Sequence, residues 1–338
     1  MKIYLAPMEG LTDYMYRNAY DEFFGQGKID KYFMPFISPN KSDKFLAKEM
    51  RDIDRVNNQT VKSIPQVMTN NHRDFIWTAR LLHEQFGYDE INLNAGCPSG
   101  TVVSKNKGAG MLGDTDELER ILYEIFSDSY ILNNKIKISV KTRIGLESED
   151  EWAEILEVYN KFKMEELIVH PRVRTDFYRN DIKYNAYKMA LEESVNPVCY
   201  NGDIFTADNY VSFLERFGDT ERVMLGRGLI TDPGLINVIS SDNPANYQRD
   251  TSADLENMKK LHDSVYEERL TIMSGDKHAI HRMKEMWCYM EYIFPDNKKE
   301  IKAIKKSQKM GDYKDAVNVF FNVASIKEPR VITYSRKF

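Results

Sequence analysis

The sequence predicts an α/β chain: a (β/α)8 TIM barrel over residues 1–241, a linker at 242–252 and a small all-helical domain over 253–338. Three observations predict it. Eight short apolar runs recur through the first 230 residues, amphipathic stretches fill the gaps between them, and no strand-like run follows residue 240. Eight βα units in about 240 residues is the arithmetic of a closed parallel barrel. A doubly wound open sheet uses fewer strands and wants a phosphate loop after the first.

In chain order the runs are KIYLAPM (2–8), KYFMPFIS (31–38), SIPQVMT (63–69), EINLNAGCP (90–98), KISVKTRIG (137–145), ELIVHPR (166–172), NPVCYNGDI (196–204) and ERVMLGRGLI (221–230). Each is rich in Val, Ile, Leu or aromatics, and roughly 20 to 40 residues separate it from the next, room for a helix and its loops. Residues 73–87 read as one such helix with Gly87 ending it, and 114–130 as another opened by Asp114. The polar stretch SSDNPANYQRDT (240–251) carries a proline and reads as a linker. Beyond it, 253–270, 278–294, 298–310 and 313–325 have helical apolar spacing, so the two parts are expected to have separate cores.

Composition narrows the function classes. Hydrophobic residues at 42% and charged residues at 29% are those of a globular protein, not of a disordered or fibrous one. No stretch has the apolar length of a membrane span and the N-terminus lacks a signal-peptide core, so a cytoplasmic protein is expected. Cys97, Cys199 and Cys288 form no CxxC pair, and no metal site is expected, the pair His278 and His281 lacking a third ligand at suitable spacing. Net charge is −5, unevenly placed: residues 251–338 carry 17 Lys plus Arg against 13 Asp plus Glu.

The functional signal lies at the carboxyl ends of the predicted strands. Gln66, Asn94, Cys97, Lys141, Arg143, His170, Asn201, Asp203 and Arg227 all interrupt apolar runs there, and in a barrel those ends converge on one face. NGD (201–203) and GRG (226–228) have the makings of a barrel phosphate site, glycines admitting an anion to backbone N–H groups and Arg227 adding charge. A phosphorylated cofactor such as FMN follows, with its ring near Pro7, Met8 and Gln66 and its N1–O2 edge facing Lys141. GAGMLG (108–113) fits the dinucleotide fingerprint but follows the polar SKNK rather than a strand, and reads instead as a mobile loop beside Cys97. Cys199 and Cys288 read as inert core thiols. Trp287, Tyr289, Tyr292 and Phe294 read as core before they read as base-stacking residues.

Taken together, APMEGLTD (6–13), LNAGCPSGTVVSKNKGAGMLG (93–113), VKTRIG (140–145), VHPR (169–172), NGDI (201–204) and GRGLI (226–230) resemble the motifs of the tRNA-dihydrouridine synthases, in order and at matching spacing. That resemblance implies reduction of a uridine in RNA, tRNA before rRNA, to 5,6-dihydrouridine, with FMN as cofactor and NADPH as reductant. It implies that Pro7, Met8, Glu9, Gln66, Lys141, His170, Asn201, Gly202, Asp203, Gly226 and Arg227 hold FMN. Asn94, Arg143 and Tyr178 would contact the uracil, and Cys97 would protonate C5 after hydride reaches C6. The helical tail would bind RNA, and a monomer is expected. Neighbouring Lys and Arg are expected to pull the Cys97 thiol down in pKa. Two other readings remain open from sequence: a flavin barrel acting on a small enone or pyrimidine, and a catalytically dead barrel that binds RNA.

Overall fold

The computed structural model describes residues 1–39, 45–273 and 275–327. The predicted tail to residue 338 therefore extends outside the described residues. Every one of the eight apolar runs becomes a strand: β1 Lys2–Leu5, β2 Lys31–Phe33, β3 made of Ser63–Ile64 and Gln66–Val67 on either side of Pro65, β4 Glu90–Ala95, β5 Lys137–Arg143, β6 Leu167–His170, β7 Val198–Tyr200 and β8 Arg222–Leu225. All ladders are parallel. β3 closes the ring: Ser63 and Ile64 pair with β2, while Gln66 and Val67 pair with β4. Pro65 has no N–H to give either neighbour, which splits the strand at that point.

The strand interiors obey period two. Tyr4, Phe33, Ile64, Ile168, Cys199 and Met224 fill the inside of the barrel, so the expected inert Cys199 is fully buried. Below them Lys31 Nζ sits 2.7 Å from Glu90 Oε1 and 2.8 Å from Glu166 Oε1, a buried cation with two carboxylates that plugs the amino end. The outer faces of the strands pack on α1 Tyr14–Tyr20, α2 Ala47–Ile53, α3 His72–Phe86, α4 Thr115–Phe126, α5 Trp152–Asn160, α6 Tyr184–Glu193, α7 Ala207–Arg216 and the short α8 Arg227–Thr231. Gly87 ends α3 at φ +68°, and the Asp114 carboxylate caps α4 at the Glu117 amide. α4 stops sooner than expected, because Asp128 caps a second short helix, Ser129–Asn133.

After the barrel come α9 Thr251–Ile272, α10 Asp276–Met290, α11 Lys298–Lys306 and α12 Met310–Val323. The expectation of separate cores is overturned: Met258, Leu261 and Val265 of α9 belong to the same apolar cluster as Leu5, Tyr16 and Leu225. The stretch read as a linker is stapled rather than free. Arg249 reaches Asp232 and Asp254, each at 2.6 Å, and Arg269 of α9 bonds Asp13 at 2.9 Å. A polar, proline-bearing segment looks like a tether in sequence; only its tertiary partners distinguish the two.

Candidate active site

A cavity of about 600 Å3 opens at the carboxyl ends of the strands. Pro7, Met8 and Glu9 line it after β1, Gln66 in β3, Asn94 and Cys97 at β4, Lys141 in β5, His170 at β6, Asn201, Gly202 and Asp203 after β7, and Gly226 and Arg227 after β8, with Tyr178 above His170. The barrel thus gathers every predicted site residue but one. Arg143 is fully buried and does not line the cavity.

The floor is a hydrogen-bonded amide ladder. Gln66 Nε2 donates to Asn92 Oδ1 at 2.7 Å, and Asn94 Nδ2 donates to Gln66 Oε1 at 2.8 Å. Asn94 Oδ1 in turn accepts from the Gly96 and Cys97 amides, both at 3.0 Å, so it fixes the Gly-Cys-Pro turn from below. The GAG segment fixes that turn from behind and is not a mobile loop. Ala109 N donates to Cys97 O at 3.0 Å, and Gly108, at φ +57°, lies so close that a Cβ there would meet Cys97 O at 2.8 Å.

Electrostatics divide the cavity. Burial pushes the Cys97 thiol up in pKa, and Arg143 and Lys141 pull it back without winning, which corrects the expected lowering. The Lys141 ammonium has no hydrogen bond or ion pair among the described residues, and burial, with Arg143 beside it, brings it down to about 8. His170 Nε2 lies 3.2 Å from Arg172 Nη1, which can only donate, so the ring is neutral with its proton on Nδ1. Burial and four surrounding cations hold His170 well below the usual histidine range.

On the far side Asp203 joins two guanidinium groups. Arg172 Nη2 is 2.5 Å from Asp203 Oδ2, and Arg227 bonds Asp203 Oδ1 while its guanidinium lies 4.8 Å from the Tyr178 ring centre. Sequence reading missed Arg172, although it stands in the quoted VHPR string two residues past His170 on a strand end. The glycines of this corner serve chain packing as well as access: a Cβ on Gly228 would collide with Ile204 O. Glu9 turns its carboxylate to Lys48 at 2.8 Å, both half exposed.

The helical part forms one wall, through Arg282, Glu285, Cys288, Tyr289 and Tyr292 of the α10 region and Lys305 of α11. Cys288 is therefore no core thiol; it is half buried and faces the cavity. Trp287 and Phe294 are core, as expected, whereas Tyr292 is cavity wall. Nothing in the helical periodicity marks these wall residues, because the barrel face they cover is remote in sequence. Among the described residues no three His, Cys, Asp or Glu gather as a metal site, and no helix is long and apolar enough to cross a membrane.

A family model described as dihydrouridine synthase (Dus) matches residues 4–324. A tRNA-dihydrouridine(16) synthase from Vibrio vulnificus is 25% identical over 300 residues, covering 87% of this chain and 90% of its own. One from Pseudomonas putida is 29% identical over 257 residues, covering 73% and 76%. Among solved structures, the old yellow enzyme from Trypanosoma cruzi superposes with a TM-score of 0.51 at 9% identity, over 73% of this chain and 90% of its own. Morphinone reductase in complex with tetrahydroNAD gives 0.50 at 10%, over 75% and 90%. At such identities the likeness is one of fold.

Proposed function

Because the chain belongs to the dihydrouridine synthase family, we propose that it reduces a uridine of tRNA to 5,6-dihydrouridine, with FMN as its flavin, NADPH as reductant, the cytoplasm as its compartment and a single chain as the working unit. The observation that carries the reading is one cavity holding both a protonated thiol, Cys97, and an unpartnered ammonium, Lys141.

The donor set fits a flavin mononucleotide. Lys141 offers a cation to an electron-rich ring edge, and Arg227, which lines the cavity, offers guanidinium to a phosphate dianion, while the buried Arg172 braces Asp203 behind it. Pro7, Met8, Gln66, His170, Asn201 and Gly226 line the space between. Bound there, FMN supplies the hydride that adds to C6 of the uracil.

The chain's own residues do the rest. Cys97 holds a proton on Sγ at neutral pH and delivers it to C5. Asn94 has one amide hydrogen beyond the one given to Gln66, available to a uracil carbonyl, and Tyr178 is a wall for the base to pack against. A uridine reaches this floor only by leaving its stack, which costs least in a loop that tertiary structure already loosens. Outside the cavity, α11 exposes Lys298, Lys299, Lys302 and Lys306, none with a carboxylate partner among the described residues, while Lys305 of the same helix lines the cavity. That charge on an otherwise acidic protein supports a polyanionic substrate.

Rapid mixing of the NADPH-reduced holoenzyme with transcript RNA tests the proposal. RNA-dependent reoxidation with dihydrouridine in the product is expected; reoxidation by a small enone but never by RNA would favour the small-substrate reading instead.

A further inference from the structure

Arg143 stands two residues beyond Lys141 on β5, yet its guanidinium turns away from the cavity into the protein. Each of its three nitrogens donates to a backbone carbonyl. Nε reaches Gly96 O at 3.0 Å, Nη1 reaches Val173 O at 2.8 Å and Nη2 reaches Phe177 O at 2.5 Å. The first carbonyl belongs to the turn that carries Cys97; the other two belong to the loop that leads into Tyr178. A planar guanidinium presents its donors in a rigid fork, so carbonyls bound to it are fixed relative to one another.

The loop has something to hold. Phe177 is not glycine but adopts φ +51° and ψ −102°, a conformation that persists only where the surroundings over-determine it. Arg143 grips the carbonyl of that same residue. The next residue, Tyr178, has its ring 5.2 Å from the Arg143 guanidinium and 4.8 Å from that of Arg227. Phe177 and Tyr178 both line the cavity, as Gly96 and Cys97 do.

We propose that Arg143 is a positioning residue that locks the Cys97 turn and the Phe177–Tyr178 loop into one rigid unit before any RNA arrives, rather than a contact to the uracil. Its effect on turnover rests on the proposed function, but the lock itself is a property of the ligand-free protein. Arg143→Lys separates charge from bracket: the ammonium keeps the positive charge, but a point donor on a shorter reach cannot span three carbonyls.

The test is alkylation of the ligand-free holoenzyme by iodoacetamide across pH, mapped by peptide mass spectrometry, with Cys288 as the internal reference. In Arg143→Lys the high-pH plateau rate at Cys97 should rise about tenfold or more, as the turn loosens and the thiolate becomes accessible, while its midpoint and the Cys288 rate stay put. An unchanged Cys97 plateau overturns the lock. Reoxidation by RNA should slow in the same variant with RNA affinity retained, a loss in kcat rather than in KM; a loss in affinity alone overturns it too. Should the variant fail to fold, the parent protein still decides. NMR of arginine side-chain nitrogens should leave the Arg143 signals in place when uridine-containing RNA is added, and movement of those signals assigns Arg143 to the substrate. If the parent is never reoxidised by RNA, the proposed function falls, while the alkylation result stands independently.

Discussion

A cysteine with a lysine and an arginine beside it invites reading as a thiolate, and at Cys97 burial reverses that reading. The sign matters for an acid. With its pKa above the ordinary thiol value, Cys97 keeps its proton throughout the neutral range, and the alkaline fall in reoxidation rate should come later than a free thiol would give. Cys97→Ala should retain FMN and accept hydride from NADPH at a near-normal rate, yet reoxidise with RNA about 10²-fold to 10⁴-fold more slowly, which single-turnover flavin absorbance would record. His170 cannot stand in well, since the Arg172 bond and the surrounding cations keep its ring neutral. At the opposite corner, Arg227→Ala should weaken FMN binding by about 1.5 to 3 kcal/mol, the worth of one charge-assisted bond, measurable by titrating the apoprotein. Unchanged affinity would put the phosphate elsewhere. At this scale the sequence made identities legible but not orientations. Position at a strand end found Lys141, which β-strand alternation aims inward, and Cys97, which the turn after β4 carries, whereas Arg143 shares the alternation of Lys141 and still turns out of the cavity, drawn by carbonyls from loops that no spacing rule connects.

Strands were the most legible elements, each apolar run being short, β-rich and bounded by polar residues. Its excess at the carboxyl end was functional loop rather than strand: NAGCP runs on past Ala95 and NGDI past Tyr200. The GAG segment was misread because glycine looks the same in sequence whether it gives mobility or admits a close neighbour; the contact with Cys97 O makes it the second. The element with a separable proposed role is α11. Ile301 and Ile304 bury one face, and Lys298, Lys299, Lys302 and Lys306 crowd the other along about 12 Å of helix. Replacing those four by Gln should leave flavin content and NADPH oxidation as they were. The slope of log affinity for RNA against log salt should flatten by roughly 0.7 for each phosphate no longer neutralised. A parallel pair of salt titrations would place the RNA on another face.

The whole molecule departs most from what its sequence suggested. A drop in strand pattern after residue 240 marked a change of architecture correctly, but a change of architecture is not a change of core, and hydrophobic periodicity cannot say which faces of two parts meet. Here α9 covers α1 and the Arg249 guanidinium binds Asp232 and Asp254. A chain ending near residue 245 should therefore not persist as a sound flavin barrel. It loses Arg249, leaves the buried Asp232 carboxylate uncompensated and exposes the face of α1, together a cost of about 3 kcal/mol or more. Urea unfolding would measure it, and a midpoint equal to that of the full chain would restore the picture of independent cores.

The proline that divides β3 also sets where this hoop of strands can part. Every other stave pairs with both neighbours, if only through Tyr200 and Val223 between β7 and β8, but Ser63 and Ile64 tie only to β2, and Gln66 and Val67 tie to β4, helped by a bridge from Val67 to Ile37. Backbone amides along this join should be among the first in the barrel to exchange with deuterium in the native state, ahead of those between β4 and β5. Gln66 sits immediately beside the join and carries the amide ladder to Asn94, which in turn steadies the Cys97 turn. Each transient parting of the hoop would thus reach the turn that carries Cys97, the proposed acid, through the Gln66–Asn94 ladder.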